Sequence, residues 1–403
     1  MAGETVERRP PLDRRALLSL LDRGRGVLAL LAVLVLGVVV SPRNERTGEL
    51  VFLTRDTQSA VLYEYSEYGI LAAGMTLVIL TAGIDLSVGS VLGFTAMLFS
   101  LLMIAYGWGP VPAVLMSALA GATCGAVSGL FVAGIRLPTR AMLTVGFGVG
   151  VAAAGATAAA LIGRGMALPL AAGIGLAVGV TGGVLAARTL SGIRVQAFVS
   201  TLAMMVAARG AAKLVSGGIK VAPGAESWYA LQSGRPPFWD WMTTAIPATG
   251  DFLRPITVLF LVVIIVMALV VRYTRFGRYL YAVGGNEEAA RLSGVPVAGT
   301  KLLAYALCGL FAGLAGACNA CRMDLGNPEA GFTYELDAIA AVVIGGTSLM
   351  GGRGGVFLTL IGTLIIGYIN KILSINGVEE AQRLLAKGAI IVVAVMLQER
   401  RRQ

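Results

Sequence analysis

The sequence contains no histidine, only four cysteines and few charged residues. Without histidine, the chain cannot carry Ser-His-Asp or Cys-His catalysis, and it cannot bind zinc or haem through imidazole. Four cysteines are too few for a disulfide scaffold. No G-x-x-x-x-G-K-[ST] loop is present to bind nucleotide phosphates. We therefore expect no histidine-dependent catalysis, no histidine-bound zinc or haem, and no nucleotide binding of the P-loop kind.

Apolar residues dominate what is present. Of 403 residues, 57% are hydrophobic and 13% are charged, whereas soluble domains average roughly 25% charged residues. The mean hydropathy of +0.81 agrees. A soluble protein of this length would need more charged surface, so the composition predicts a polytopic membrane protein.

Long apolar runs separated by polar stretches predict an all-α fold with about 12 transmembrane helices. We place them near 26–40, 69–84, 87–105, 110–133, 141–162, 166–187, 195–212, 254–271, 302–320, 337–350, 355–373 and 386–398. This transmembrane domain, 26–398, lies between tails at 1–25 and 399–403.

Basic residues predict the orientation of these helices. With both termini in the cytoplasm, most of the 32 Lys and Arg residues fall on the cytoplasmic side, as the positive-inside rule requires. The net charge of +10 therefore reflects membrane orientation, and we expect lipid contacts and no nucleic-acid partner.

Two glycine ridges repeat 54 residues apart, and Gly-Ile-Arg follows each of them. Small residues four apart let helices approach closely in lipid. We interpret 134–190 as an inserted helix pair that arose by local duplication. Chance similarity between Gly/Ala-rich helices is the alternative. The ridges are Gly121, Gly125 and Gly129, and Gly175, Gly179 and Gly183.

A carboxylate interrupts the apolar stretch 69–105, where Asp85 is the only charged residue. A lipid-facing carboxylate is costly, so Asp85 needs partners. One interpretation is a helix cap, in which Asp85 or Ser87 accepts free backbone amides. The other is a polar break that lines a solute path together with Thr76.

Glycines also break the apolar stretch 338–355, at Gly345 and Gly346 followed by Thr347 and Ser348. Irregular backbone at membrane depth is tolerated where it lines a cavity. By analogy with secondary transporters, two broken segments indicate a central path. A plain cytoplasmic turn at 351–354 is the alternative.

The segment 272–301 is the longest predicted cytoplasmic connection. Asn286 is a good N-cap, Glu287 and Glu288 suit the positive helix end, and Gly294 is a good stop. The expected helix of about two turns presents a small apolar knob of Ala289, Ala290 and Leu292. Such a short helix needs a surface to pack against. A groove on a cytoplasmic partner would provide one, while a surface connector is the alternative.

These stretches resemble the membrane permease subunit of ribose-type monosaccharide ABC importers. The resemblance covers about 60–398 and rests on Gly74–Gly89, Arg194–Met205, Phe276–Val295 and Tyr334–Gly352. It implies a dimer of permease copies in the bacterial inner membrane, a cytoplasmic ATPase that holds ATP and Mg²⁺, and an extracytoplasmic sugar-binding protein. It also implies that this chain is a transport subunit and not an enzyme, and that it binds no cofactor or metal itself. The implied ATPase-coupling residues are Gly285, Asn286, Glu287, Glu288, Ala289, Ala290, Arg291, Leu292 and Gly294.

Other functions stay open at this point. The same machinery could carry a nucleoside or another small polar solute. An integral-membrane enzyme would need clustered intramembrane acids or bases, and a channel would need no ATPase-docking helix. The inserted pair departs from the family pattern, and the sequence does not name the sugar.

Overall fold

The computed structural model describes residues 25–134, 194–223 and 235–399. These ranges are helical, and apart from two isolated β-bridges they hold no strand. The prediction of an all-α fold is confirmed for this part of the chain.

Fourteen α-helices lie in the described ranges, and we number them in chain order. A π-helical turn at Leu101–Ala105 extends α4 directly. The helices are α1 (Arg25–Val40), α2 (Arg55–Glu64), α3 (Ser66–Leu80), α4 (Val88–Ser100), α5 (Pro110–Ala133), α6 (Ala197–Ser216), α7 (Pro237–Thr243), α8 (Pro255–Tyr273), α9 (Arg275–Gly285), α10 (Glu287–Leu292), α11 (Val297–Met323), α12 (Tyr334–Gly345), α13 (Val356–Ile375) and α14 (Glu380–Glu399).

Six helices in the described ranges are long and apolar enough to cross a membrane. They are α4 with its π-helical extension, α5, α6, α8, α11 and α13, while α1 and α3 are shorter apolar helices. The number of about 12 spans therefore stays a prediction. The helices proposed at 141–162 and 166–187, and all of the inserted pair except Gly134, lie outside the described residues.

Local sequence signals explain where α5 begins and ends. Pro110 occupies the first turn, where its missing N–H is not needed. Gly134 has φ +60° and ends the helix in the left-handed conformation. The prediction of a helix at 110–133 is confirmed at both ends.

The segment 272–301 contains more helix than the one short helix that the sequence predicts. Helix α9 occupies Arg275–Gly285, and α11 already begins at Val297. The Thr274 hydroxyl starts α9 by accepting a hydrogen bond from the Gly277 N–H at 3.4 Å. Helix α9 is too polar for apolar runs to reveal it.

Helix α11 lies at the centre of the bundle and packs against α3, α4 and α5. Its contact with α5 depends on the first glycine ridge. A Cβ atom on Gly121 would lie 2.2 Å from the Gly309 carbonyl oxygen, and a Cβ on Gly309 equally close to the Gly121 oxygen. Close packing is confirmed for this ridge; the ridge at Gly175, Gly179 and Gly183 lies outside the described residues.

We expect Gly121→Ala to destabilise the permease, because the added methyl group would force α5 and α11 apart. Overpacking of this kind typically costs about 1–3 kcal/mol. Thermal unfolding of the purified protein in detergent would measure the loss. Gly210→Ala in α6 is the matched control, since nothing lies within 4 Å of a Cβ there. Equal unfolding midpoints for both variants would contradict the role of the ridge.

Candidate functional site

Helix α10 has the ends that the sequence predicts. The Asn286 side chain accepts a hydrogen bond from the Ala289 N–H at 2.9 Å, and Gly294 follows the helix with φ +80°. The expected apolar knob is only partly correct. Ala290 faces inward and packs with Val283 and Val297, while Ala289 and Leu292 are exposed. Leu292 is 82% exposed and is the large apolar side chain of α10.

Glu287 ties α10 to two other parts of the chain. Its carboxylate accepts hydrogen bonds from Arg194, just before α6, at 2.6 and 2.7 Å. Lys301 of α11 donates another at 2.6 Å, and Arg291 lies at 3.3 Å. We call Arg194, Glu287 and Lys301 the clamp. It fixes a six-residue helix that would be marginal alone.

The clamp keeps Glu287 ionised. Partial burial favours the neutral acid, but the hydrogen bonds and positive charges of Lys301 and Arg194 outweigh it and lower the pKa of Glu287 below its ordinary value. An open cavity of about 450 Å³ is lined by the clamp and by Thr81, Ala82 and Gly83. The clamp therefore borders this cavity, next to the non-helical segment that follows α3.

We expect the clamp to stabilise the fold at neutral pH and to fail in acid. The folded pKa of Glu287 is depressed, so its contribution is complete above the ordinary value of 4.5 and is lost as the pH falls through the lower folded pKa. Glu287→Gln should therefore lower the unfolding midpoint near neutral pH and converge with wild type in acid.

Thermal unfolding of both proteins across this pH range checks the expectation. Glu288→Gln is the control, because its side chain is 69% exposed and reaches Arg291 only at 3.9 Å. A wild-type advantage over Glu287→Gln that persists below the folded pKa would contradict it.

The two helices α9 and α10, which we call the platform, contact the backbone of two other segments. A Cβ on Gly284 would lie 1.9 Å from the Leu80 carbonyl oxygen and 2.5 Å from the Gly352 nitrogen. The Gly352 N–H donates to that Leu80 oxygen at 3.1 Å, and the Tyr281 hydroxyl donates to the Gly354 oxygen at 2.8 Å. The platform therefore touches both the end of α3 and the turn between α12 and α13.

A non-helical segment, residues 81–87, separates α3 from α4. The sequence predicts this helix break at Asp85. Asp85 is 1% exposed, and its Oδ1 accepts hydrogen bonds from the Ser87 N–H and hydroxyl at 2.9 and 2.6 Å. Neither side chain caps a free amide of α4. Asp85 therefore stabilises the break rather than the helix.

The second broken segment is a closed turn at the platform end of the bundle. Gly345 ends α12, and Gly346 follows with φ +111°. The Thr347 hydroxyl accepts a hydrogen bond from the Gly355 N–H at 3.2 Å, and the Ser348 N–H donates to the Arg353 oxygen at 3.0 Å. Residues 346–355 thus form a turn between α12 and α13 that is longer than 351–354, and their role in a path stays a prediction.

Thr76 lies apart from both segments in the packing between α3 and α13. Its hydroxyl donates to the Ala72 oxygen at 2.7 Å and lies 2.6 Å from the Thr359 hydroxyl. Thr76 is fully buried, so it joins two helices.

Sequence reasoning did not identify Arg194 or Lys301 as part of this site. A weak signal was available for Lys301, which is a cation in the first turns of a long, mostly apolar helix. No periodicity connects Arg194 with Glu287, because 93 residues separate them.

Comparisons with known proteins agree on one family. A family model described as the permease component of branched-chain amino acid transport systems matches residues 140–395. The chain is 35% identical over 379 residues to the ribose import permease protein of Escherichia coli K12, with 93% of each chain covered. No solved structure gives a significant match.

Two further relatives carry the same kind of name. The ribose import permease protein of Bacillus subtilis 168 is 34% identical over 334 residues, covering 83% of this chain and 81% of the relative. The xylose transport system permease protein of E. coli K12 is 33% identical over 364 residues, covering 87% and 86%. The resemblance expected from the motifs is confirmed: the chain belongs to the family of multi-pass membrane permeases that contains the ribose and xylose import permeases.

Proposed function

We propose that this chain is the permease subunit of an ATP-driven importer for a monosaccharide, with pentoses such as ribose and xylose as the first candidates. The observation that carries the proposal is the platform. The clamp holds its short helix α10 in place, and the side chain of Leu292 on this helix is 82% exposed. A rigid helix with an open apolar side chain suits docking into a groove on another protein.

Coupling follows from what the platform touches. An ATPase pair that closes on ATP would move α10, and α9 would pass this movement to Leu80 and Gly352 through backbone contacts without intervening side chains. Those contacts end at the break 81–87 and at the turn 346–355. Ligand and nucleotide must favour different arrangements of these segments for transport to be driven.

The proposed path lies where these segments meet the helices. Asp85 and Ser87 move with the start of α4, and Gly345, Gly346, Thr347 and Ser348 move with the end of α12. Thr76 holds α3 against α13 and supports this path from the packed interior. The coupling residues proposed from the sequence, Gly285 to Leu292 with Gly294, keep that role, with Arg194 and Lys301 added as support.

The partners complete the proposal. ATP and Mg²⁺ bind to the cytoplasmic ATPase, the sugar arrives on an extracytoplasmic binding protein, and a second permease copy forms the other half of the path. The platform and both termini lie on the cytoplasmic side of the bacterial inner membrane, where the basic residues of the chain concentrate.

Uptake by the reconstituted complex tests the function. Proteoliposomes that contain the permease, its ATPase and its binding protein would receive labelled ribose, xylose, galactose, a nucleoside and leucine in parallel. We expect ATP-dependent accumulation of a monosaccharide. Accumulation of only the nucleoside or only leucine would contradict a monosaccharide substrate and identify the other solute class instead.

A further inference from the structure

A carboxylate that the coupling argument does not use lies at the start of α12. Glu335, the second residue of α12, is half-buried beside the start of α4. A Cβ on Gly89 would lie 2.3 Å from Glu335 Oε2. No side chain among the described residues donates a hydrogen bond to this carboxylate, although the positive end of α4 favours its charge.

Helix geometry places Glu335 near mid-depth. Sixteen residues separate Gly89 from Ala105 at the far end of α4, which is about 24 Å at the helical rise. Ten residues separate Glu335 from Gly345 at the platform end of α12, which is about 15 Å. A hydrocarbon core is about 30 Å thick, so both lengths place this carboxylate far from either end of the bundle.

The loop before α12 is held in place to present Glu335. The loop runs back from the end of α11 along α4, and Arg209 of α6 donates hydrogen bonds to the Pro328 and Ala330 oxygens at 2.8 and 2.7 Å. The Ala330 oxygen would lie 2.5 Å from a Cβ on Gly93, so loop and helix touch through backbone. Thr333 then starts α12 with φ +67°, a conformation that costs a non-glycine residue about 1–3 kcal/mol.

Apolar side chains flank the carboxylate at the surface. Phe332 is 73% exposed and Leu336 is 51% exposed. A partly exposed carboxylate at mid-depth is too costly to face lipid, and such groups face a water-filled cavity or protein instead. This face is therefore expected to meet water or protein rather than the bilayer.

We infer that Glu335 is a sugar-contacting residue of the path, whose carboxylate accepts hydrogen bonds from sugar hydroxyl groups during translocation. This inference rests on the proposed function. An ionised carboxylate offers only acceptors, so it pairs with the hydroxyl donors of a polyhydroxylated solute. Arg209 is a positioning residue, because its hydrogen bonds go to the backbone of the loop that precedes Glu335.

A transport experiment separates this role from a structural one. Wild type, Glu335→Gln and Glu335→Ala would be reconstituted with the ATPase and a saturating amount of sugar-loaded binding protein. We expect Glu335→Ala to slow ribose or xylose entry at least tenfold while nucleotide hydrolysis continues, and Glu335→Gln to slow it less. We also expect the preference for the sugar over its deoxy analogue to shrink at least threefold. Glu329→Ala, on the same loop and paired with exposed Lys213, is the control and should transport normally.

The outcomes are distinguishable. If wild type imports no monosaccharide, the proposed function fails. If wild type imports the sugar and Glu335→Ala matches its rate, this inference alone is overturned. A slow Glu335→Ala with unchanged preference for the hydroxylated sugar would also overturn it, because that pattern marks a packing defect.

Discussion

Leu292→Asp is expected to abolish ATP-driven uptake while the permease still folds and inserts. Leu292 is 82% exposed and packs against nothing in the described chain that the substitution would disrupt. Burying a leucine in a partner groove is worth about 1.5–3 kcal/mol, and an unpaired carboxylate there adds a further penalty. Since 1.4 kcal/mol is a factor of ten in affinity, the ATPase should bind at least tenfold more weakly.

Two measurements check this expectation, namely co-purification of the ATPase with the permease and sugar uptake by proteoliposomes. Tyr273→Ser at the end of α8 is the matched control, because Tyr273 is 67% exposed but lies before the platform. Glu288→Arg should give an intermediate loss, since Glu288 lies on the exposed side of α10. Full coupling in Leu292→Asp would remove α10 as the docking helix.

The sequence predicts those parts of the site whose signals are local. Pro110 and Gly134 mark the ends of α5, and Asn286 and Gly294 mark those of α10, because caps and stops act on neighbouring backbone groups. The break at Asp85 was also predictable, since one charge within a long apolar stretch is a local departure from the pattern.

The remaining features depend on contacts between distant residues. Arg194 binds Glu287, from which 93 residues separate it. Gly284 likewise contacts Leu80 and Gly352, which are distant in sequence and become neighbours only when the helices pack. Glu335 was missed for another reason. An acid in the first turn of a helix is ordinary, so its sequence position gave no sign that it lies at mid-depth beside Gly89.

Glu67→Ala is expected to cause the largest loss of stability. Glu67 lies on α3 at the end away from the platform and is 1% exposed. Its carboxylate accepts hydrogen bonds from Arg322 at 2.7 Å, from Asn319 at 3.2 Å and from the Tyr334 hydroxyl at 3.2 Å. Removing one partner of a buried ion pair costs about 3–5 kcal/mol, because the other charge stays buried and unpaired.

A double-mutant cycle tests whether the charges or the packing matter. We expect Glu67→Leu with Arg322→Leu to recover most of the loss, because an apolar pair leaves no unpaired charge. Glu329→Ala, which breaks the half-exposed pair with Lys213, should cost less than about 1 kcal/mol. Thermal unfolding and accumulation in the membrane measure both. Single and double variants of equal stability would contradict the charge argument.

Transport by the double variant then separates stability from positioning. Tyr334 immediately precedes Glu335, and the Glu67 carboxylate fixes the Tyr334 hydroxyl. The Glu67–Arg322 pair therefore ties α3 and α11 to the start of α12. Apolar replacements can restore the packing of these helices, but they offer Tyr334 no acceptor. We expect the stable double variant to import sugar more slowly than wild type, because the start of α12 is no longer held in one position.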